Sequence, residues 1–219
     1  SIQPRPQVSR DSAELRWYGA DHGFVGIVGM ATGVRRYKFS DGSDHLFPFS
    51  PRLMWAPVSD RIVVGNGNHP EVQVLSRDGL VQLIRWQHAE VELGGTEVRE
   101  FQQMLTEDLG ENERPVFRRR LAELAGTHHF PHYAALLVDE LGYVWVRQYR
   151  WRTDNIWTGS GYLMTTGPGD WWVFEPGGAW LGTVRMPEGL DLSQVGEDFI
   201  LGTHRDELGV ERVRVHRLI

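Results

Sequence analysis

The sequence predicts an all-β fold of propeller-type blades, three to four antiparallel sheets of four short strands each, with one helical hairpin inserted between them. Three observations predict it. A unit recurs: Val-Ser-Asp-Arg-Ile-Val-Val-Gly at 58–65 aligns with Val-Gly-Glu-Asp-Phe-Ile-Leu-Gly at 195–202, and Val72 and Val74 align with Val213 and Val215. A third copy opens with Leu-Leu-Val-Asp-Glu-Leu-Gly-Tyr-Val-Trp-Val at 136–146 and continues at 171–178. The 219 residues also include 25 Gly and 9 Trp, a composition suited to twisted sheets with tight turns and aromatic packing.

In chain order, residues 1–12 read as a polar, Pro-containing arm, loose or pairing with an edge strand. Strands follow at 14–19, 23–30 and 34–39, closed by the Asp41-Gly42 turn. A complete blade comes next, with strands at 53–58, 61–65, 71–75 and 80–86 and hairpin turns at Ser59-Asp60 and Arg77-Asp78-Gly79. The pattern then changes period. Thr96 is placed to cap a helix carrying Val98, Phe101, Leu105 and Leu109, and Pro115 lies in the first turn of a second helix carrying Val116, Phe117, Leu121 and Leu124. A helical hairpin over 96–126 is expected, as a packing cover in preference to a moving lid. Strands resume at 134–138, 143–151, 171–174 and 179–185, and the long excursion at 153–169, with Trp157 and Tyr162, is a candidate rim of a site. Strands at 193–195, 198–203 and 210–218 end the chain, so the last blade lacks a fourth strand. Residues 1–219 are expected to form a single partial propeller domain.

Composition narrows the chemistry. With 41% hydrophobic and 24% charged residues the chain has the make-up of a soluble globular protein, and it contains no apolar run long enough to span a membrane. The formal net charge of −6 argues against nucleic acid. The basic run Arg118-Arg119-Arg120 reads as a solvated helix face. The absence of cysteine removes disulfides, thiolate nucleophiles and Cys-bound zinc. The compartment stays open, a periplasmic or secreted location after signal removal included.

The stretches 71–85, 136–147 with its Val-Asp-x-x-Gly-x-x-Trp-Val core, and 202–218 resemble six-bladed β-propeller proteins of environmental bacteria, of NHL-like and lactonase-like type. The resemblance extends only to the C-terminal half of such a ring, and its motifs specify blades and not chemistry. An open fan of blades leaves sheet faces and edges exposed. A homodimer of two half-rings, each N-terminal arm adding the missing strand to a terminal blade, would complete the ring; the chain is otherwise the C-terminal piece of a longer protein.

Propeller geometry sends the segments around His45, Asn66-Gly67-Asn68-His69, His128-His129-Phe130-Pro131-His132 and His204-Arg205-Asp206 to one face. Imidazoles are common metal ligands, and without cysteine a site must use His with Asp or Glu. His69, His128, His129, His132, His204 and Asp206 are therefore candidate ligands for a divalent metal ion, zinc-like or calcium. Calcium, as lactonase-type propellers hold it, would draw on the oxygens of Asn66, Asn68 and Asp206. Against this, Asn66-Gly67-Asn68 is favoured as a turn, Asp139 reads as a hairpin turn residue and Ser160 as loop. The expected function is metal-dependent hydrolysis of small esters, lactones or phosphoesters by a metal-bound hydroxide. The alternative is a non-catalytic propeller module that binds a ligand or scaffolds a partner.

Overall fold

The structure is a computed structural model that describes residues 7–46, 49–90, 92, 94–106, 110–124, 129–154, 156–158, 161–163 and 169–218. It is all-β, with blade-like antiparallel sheets and an inserted pair of helices. Strands β1 (Gln7–Tyr18) and β2 (Phe24–Lys38) form a long hairpin that β3 (Asp44–Leu46) extends. The sequence predicts a loose or edge-pairing arm over 1–12 and a break near Thr32; the described part of the arm pairs, and the strand runs on through Thr32. Gln7 pairs with Lys38 and Ser12 with Thr32, so the stretch 7–12 is bound within its own sheet. The strand bulges instead of ending: the register shifts between Arg10 and Ser12, and a Cβ on Gly33 would lie 3.0 Å from the Asp11 carbonyl oxygen, a tight approach that glycine relieves.

The second sheet holds β4 (Met54–Val58), β5 (Arg61–Gly65), β6 (Glu71–Ser76) and β7 (Gly79–Arg85) in that spatial order, the complete blade the sequence predicts. Helices α1 (Gly95–Thr106) and α2 (Glu113–Leu124) follow. The third sheet runs in the order β13-β12-β9-β8, with β8 (Tyr133–Val138), β9 (Val144–Gln148), β12 (Asp170–Phe174) and β13 (Trp180–Arg185). Between β9 and β12 the chain forms α3 (Trp151–Asp154) and a small hairpin of β10 (Ile156–Thr158) and β11 (Gly161–Leu163), so the excursion carries structure of its own. Strands β14 (Leu190–Val195), β15 (Phe199–Arg205) and β16 (Glu211–Arg217) make a three-stranded last sheet, as expected.

These sheets pack face to face in chain order. Leu15, Trp17 and Val28 of the first meet Val64 and Leu75 of the second. Val63, Val72, Val74 and Ile84 then meet Tyr133, Val146, Trp172 and Phe174 of the third. Trp145 and Trp171 pack against Leu190, Leu192 and Ile200 of the last. Successive side chains of a strand point to opposite faces, and the continuously buried runs of β8, β9 and β12 fill both faces of an inner sheet, while the two end sheets have one neighbour each. Trp180 is 60% exposed because it lies on the edge strand β13.

One turn recurs and joins strands within the sheets. At 19–23, 39–43, 139–143, 175–179 and 206–210 the first residue donates its N–H to the fifth residue's carbonyl and accepts from the fourth residue's N–H. The fourth position has positive φ each time, at His22, Gly42, Gly142, Gly178 and Gly209. In the two of these turns that read Asp-x-x-Gly, 139–142 and 206–209, glycine supplies the left-handed backbone and Asp supplies an acceptor for the turn amides. Asp139 Oδ1 accepts from the N–H groups of Leu141 and Tyr143 at 3.0 and 2.8 Å, and Oδ2 from Trp145 Nε1 at 3.0 Å.

The helical hairpin covers one end of the fan. Val98, Phe101 and Leu121, all on the predicted apolar stripes, pack with Tyr37, Phe39, Phe49 and Phe130. Phe49 meets Phe101 edge-on at 4.8 Å. Leu109 lies outside the described residues. The basic run is more than a solvated face, since Arg119 and Arg120 reach Asp41 of the β2–β3 turn at 3.1 and 3.0 Å. Glu123 is buried and accepts from the N–H of Ser40 at 3.1 Å and from its hydroxyl.

Candidate functional site

The site is built where the β5–β6 loop, the segment after β7, and the segment before β8 come together at the end covered by the helices. Asn66 Oδ1 accepts from the Asn68 N–H at 3.0 Å and Gly67 has φ of 72°, so the predicted Asn-Gly-Asn turn forms. It is locked to the next sheet: the His132 N–H donates to the Gly67 carbonyl at 2.8 Å, and the Tyr133 hydroxyl donates to the Glu71 carbonyl at 2.8 Å. Burial pushes the Tyr133 hydroxyl's pKa well up, so it remains a donor. Gly65 makes this closure possible, because a Cβ there would sit 1.9 Å from the Tyr133 hydroxyl oxygen.

His69 then faces a cleft of about 360 Å³ lined by Arg10, Arg35, Asn68, His69, Glu90 and His129, with Val8, Pro51 and Phe130 as its apolar wall. Arg35 donates to Asn68 Oδ1, and Arg10 approaches the same oxygen at 3.5 Å. That fixes the amide's orientation: its nitrogen, 2.9 Å from His69 Nε2, must be the donor, leaving Nδ1 of His69 to carry the ring hydrogen. Across the cleft Glu90 lies 3.6 Å from His129 Nε2, and Glu92 bridges to His129 through the backbone.

A second histidine pair lies behind Phe130. His88 Nδ1 and His132 Nδ1 are 2.9 Å apart, so one ring donates and the other accepts. His88 packs edge-on against Trp172 at 4.8 Å. Desolvation lowers the pKa of His88. Desolvation lowers that of His132 too, helped by the charges of His88, His69 and His129 and opposed by Glu90. Both rings are therefore neutral near pH 7, the state in which they can share one hydrogen bond. A cleft of about 190 Å³ opens beside them, lined by His88, His132, Phe130, Tyr149, Arg150 and Trp151.

The structure thus brings His69, His129 and His132 to one region, as the sequence predicts, and leaves others elsewhere. His204 pairs with Leu190 and Arg212 across the last sheet. Asp206 opens the recurring turn, its Oδ1 accepting from the N–H groups of Leu208 and Val210 at 3.1 and 2.9 Å, the role Asp139 plays in its own sheet. Its Asp-Glu-Leu-Gly stretch matches that motif, so the sequence held the signal. His45 lies on β3 opposite Tyr37, and His128 lies outside the described residues.

Three contributors were not singled out. His88 follows β7, the outer strand of its blade, so the same strand-order rule that selected the other loops points to it. Arg10 and Arg35 had no signal, because the break placed in the first hairpin hid the register that sets them opposite each other.

The fit to a metal is poor. Among the described residues no three His, Asp or Glu side chains group as ligands. His69 Nε2 faces the Asn68 amide, the two Nδ1 atoms of His88 and His132 face each other, Oδ1 of Asn66 and of Asp206 accept from backbone amides, and Asp206 Oδ2 faces Arg212 at 3.5 Å. What these residues can do is donate hydrogen bonds into a partly apolar cleft. No protein-family model, curated protein or solved structure matches this chain.

Proposed function

We propose that the chain is a set of propeller blades acting as a binding module, with a small molecule held in the cleft at Asn68, His69, Glu90 and His129. The supporting observation is convergence: polar side chains from β1, β2, the β5–β6 loop, the segment after β7 and the segment before β8 line one cleft of about 360 Å³, a volume in the range of small-molecule sites. Titrating the intact protein with a chemically diverse small-molecule panel, read by thermal shift and by histidine NMR signals, tests it. Binding that perturbs His69 and His129 is expected; a panel that moves neither overturns it.

The second reading is the metal-dependent hydrolase of small esters, lactones or phosphoesters, in the NHL-like or lactonase-like manner. One observation favours it: His88 and His132 are 2.9 Å apart, and their cleft shares Phe130 as a wall with the cleft that His69 and His129 line. It requires a ligand set that the described residues do not supply, with His128 as the remaining candidate. Metal analysis of the purified protein with a chelator-sensitive ester and phosphotriester assay decides it, since absent metal and chelator-insensitivity remove it.

We also propose that a second copy closes the fan. The outward faces of the end sheets present Ile27 and Met30, 56% and 60% exposed, and Val213 and Val215, 73% and 64% exposed. The two-fold pairing would use these faces and not the stretch 7–12, which is already paired. Light scattering on the eluted protein should give twice the chain mass, and a stable monomer ends the idea. Net charge of −6 opposes nucleic acid as a partner, and among the described residues no helix is long and apolar enough to cross a membrane.

A further inference from the structure

We propose that the cleft is an oxyanion site and that its ligand is a small phosphomonoester, gripped by Arg10 and Arg35 beside Asn68 and His69. The inference rests on the binding-module reading and names the ligand class. Its starting point is an imbalance of charge. Among the described residues, twelve other arginines are seen within 4.0 Å of a carboxylate, Arg36 on Asp44 and Arg85 on Glu71 among them. Arg10 and Arg35 sit opposite each other on β1 and β2, share the neutral amide oxygen of Asn68, and have no ion-pair partner among the described residues. Two guanidinium groups on one neutral acceptor repel each other, and a bound anion relieves that repulsion.

The surroundings select the anion. Among the described residues that line this cleft Glu90 is the one carboxylate, and it turns to His129 at 3.6 Å. The Asn68 amide accepts from the arginines and passes its own N–H to His69 Nε2, so the hydrogen left on that ring, at Nδ1, is a further donor. Two cationic forks supply more positive charge than one carboxylate neutralises, and the neutral imidazole adds a donor. A phosphate dianion, with three free oxygens, matches them better. Val8, Pro51 and Phe130 give the cleft an apolar wall, and its volume exceeds that of a lone phosphate, so an organic group completes the ligand. The chain's net charge of −6 repels long polyanions, which leaves small ones.

Isothermal titration of the intact protein with phenyl phosphate, inorganic phosphate and phenol provides the test. Phenyl phosphate should bind more tightly than inorganic phosphate, with affinity falling as salt rises. Arg35→Gln and Arg10→Gln should each weaken it by about tenfold or more, the loss expected for one charge-assisted contact. Arg10→Lys, which keeps the charge and loses the fork, should fall between. Circular dichroism and the melting temperature of each variant confirm that it is folded, and because both side chains are partly solvent-facing the substitutions are compatible with folding. The proposal is overturned if wild type binds no phosphate, or if the glutamine variants bind phenyl phosphate as tightly as wild type. Should phenol or another neutral compound perturb His69 and His129 while phosphates do not, the oxyanion site falls and the binding module stands; if no compound binds, both fall.

Discussion

Arg147 and Asp154 show what a single buried residue commits the fold to. Their side chains are fully buried and 2.6 Å apart, and Asp154 also accepts from the Arg150 N–H at 2.6 Å. Removing one partner strands a charge away from water, so Asp154→Ala should cost roughly 3–5 kcal/mol, a fall in Tm on the order of 10 °C. The double replacement Arg147→Met with Asp154→Leu should recover much of it. Chemical denaturation of both variants checks this, and equal losses would mean that packing, not charge, is responsible. Gly65 is the steric counterpart. Gly65→Ala drives a methyl into the Tyr133 hydroxyl and should cost about 1–3 kcal/mol. Tyr133→Phe in the same chain removes the obstructing oxygen, and the double variant should be less destabilised than the sum of the singles. The histidine pair sets a pH dependence. His88 and His132 hold folded pKa values below the unfolded value of 6.5, so the stability they contribute is complete above that value and is lost as pH falls through the lower folded ones. Melts between pH 7.5 and 5 should show this decline, and His88→Gln with His132→Gln should flatten it.

At the level of elements, the recurring turn and the helical hairpin draw on different forces. Asp206→Ala removes an acceptor from two turn amides and should lower stability by about 1 kcal/mol while leaving binding at the histidine cleft unchanged. A loss of binding with the fold intact would return Asp206 to the site. The hairpin is held by its apolar face. Asp41 has a carboxyl well below the ordinary range through the hydrogen bonds of Ser43 and then Arg120, yet its pairs with Arg119 and Arg120 are near the surface. Asp41→Ala should therefore cost little, whereas Phe101→Ala, at a fully buried position, should cost about 3–5 kcal/mol. Equilibrium unfolding compares the two directly. Reversal of that order would make the hairpin a charge-latched lid and not a packed cover.

Across the whole molecule, the sheets stack in chain order and leave apolar faces at both ends, which is why closure by a second copy enters the functional reading at all. The blades are written in the sequence: β5 at Arg61–Gly65 is legible to the residue, as is the Asp-x-x-Gly turn at 139–142, whereas the same motif at 206–209 is overlooked when Asp206 is taken for a metal ligand. Alternation, turn chemistry and helical spacing act between residues a few positions apart, so they are written in the local order of the chain. Only the tertiary structure decided which polar groups meet. His88 reaches His132 across 44 positions, Arg35 reaches Asn68 across 33, and Arg10 reaches it across 58. It also separated Asp206 and His204 from His69, though all were expected on one face. Those outcomes depend on strand register, on a bulge that one glycine permits, and on the packing of one sheet upon the next, quantities that no local pattern contains.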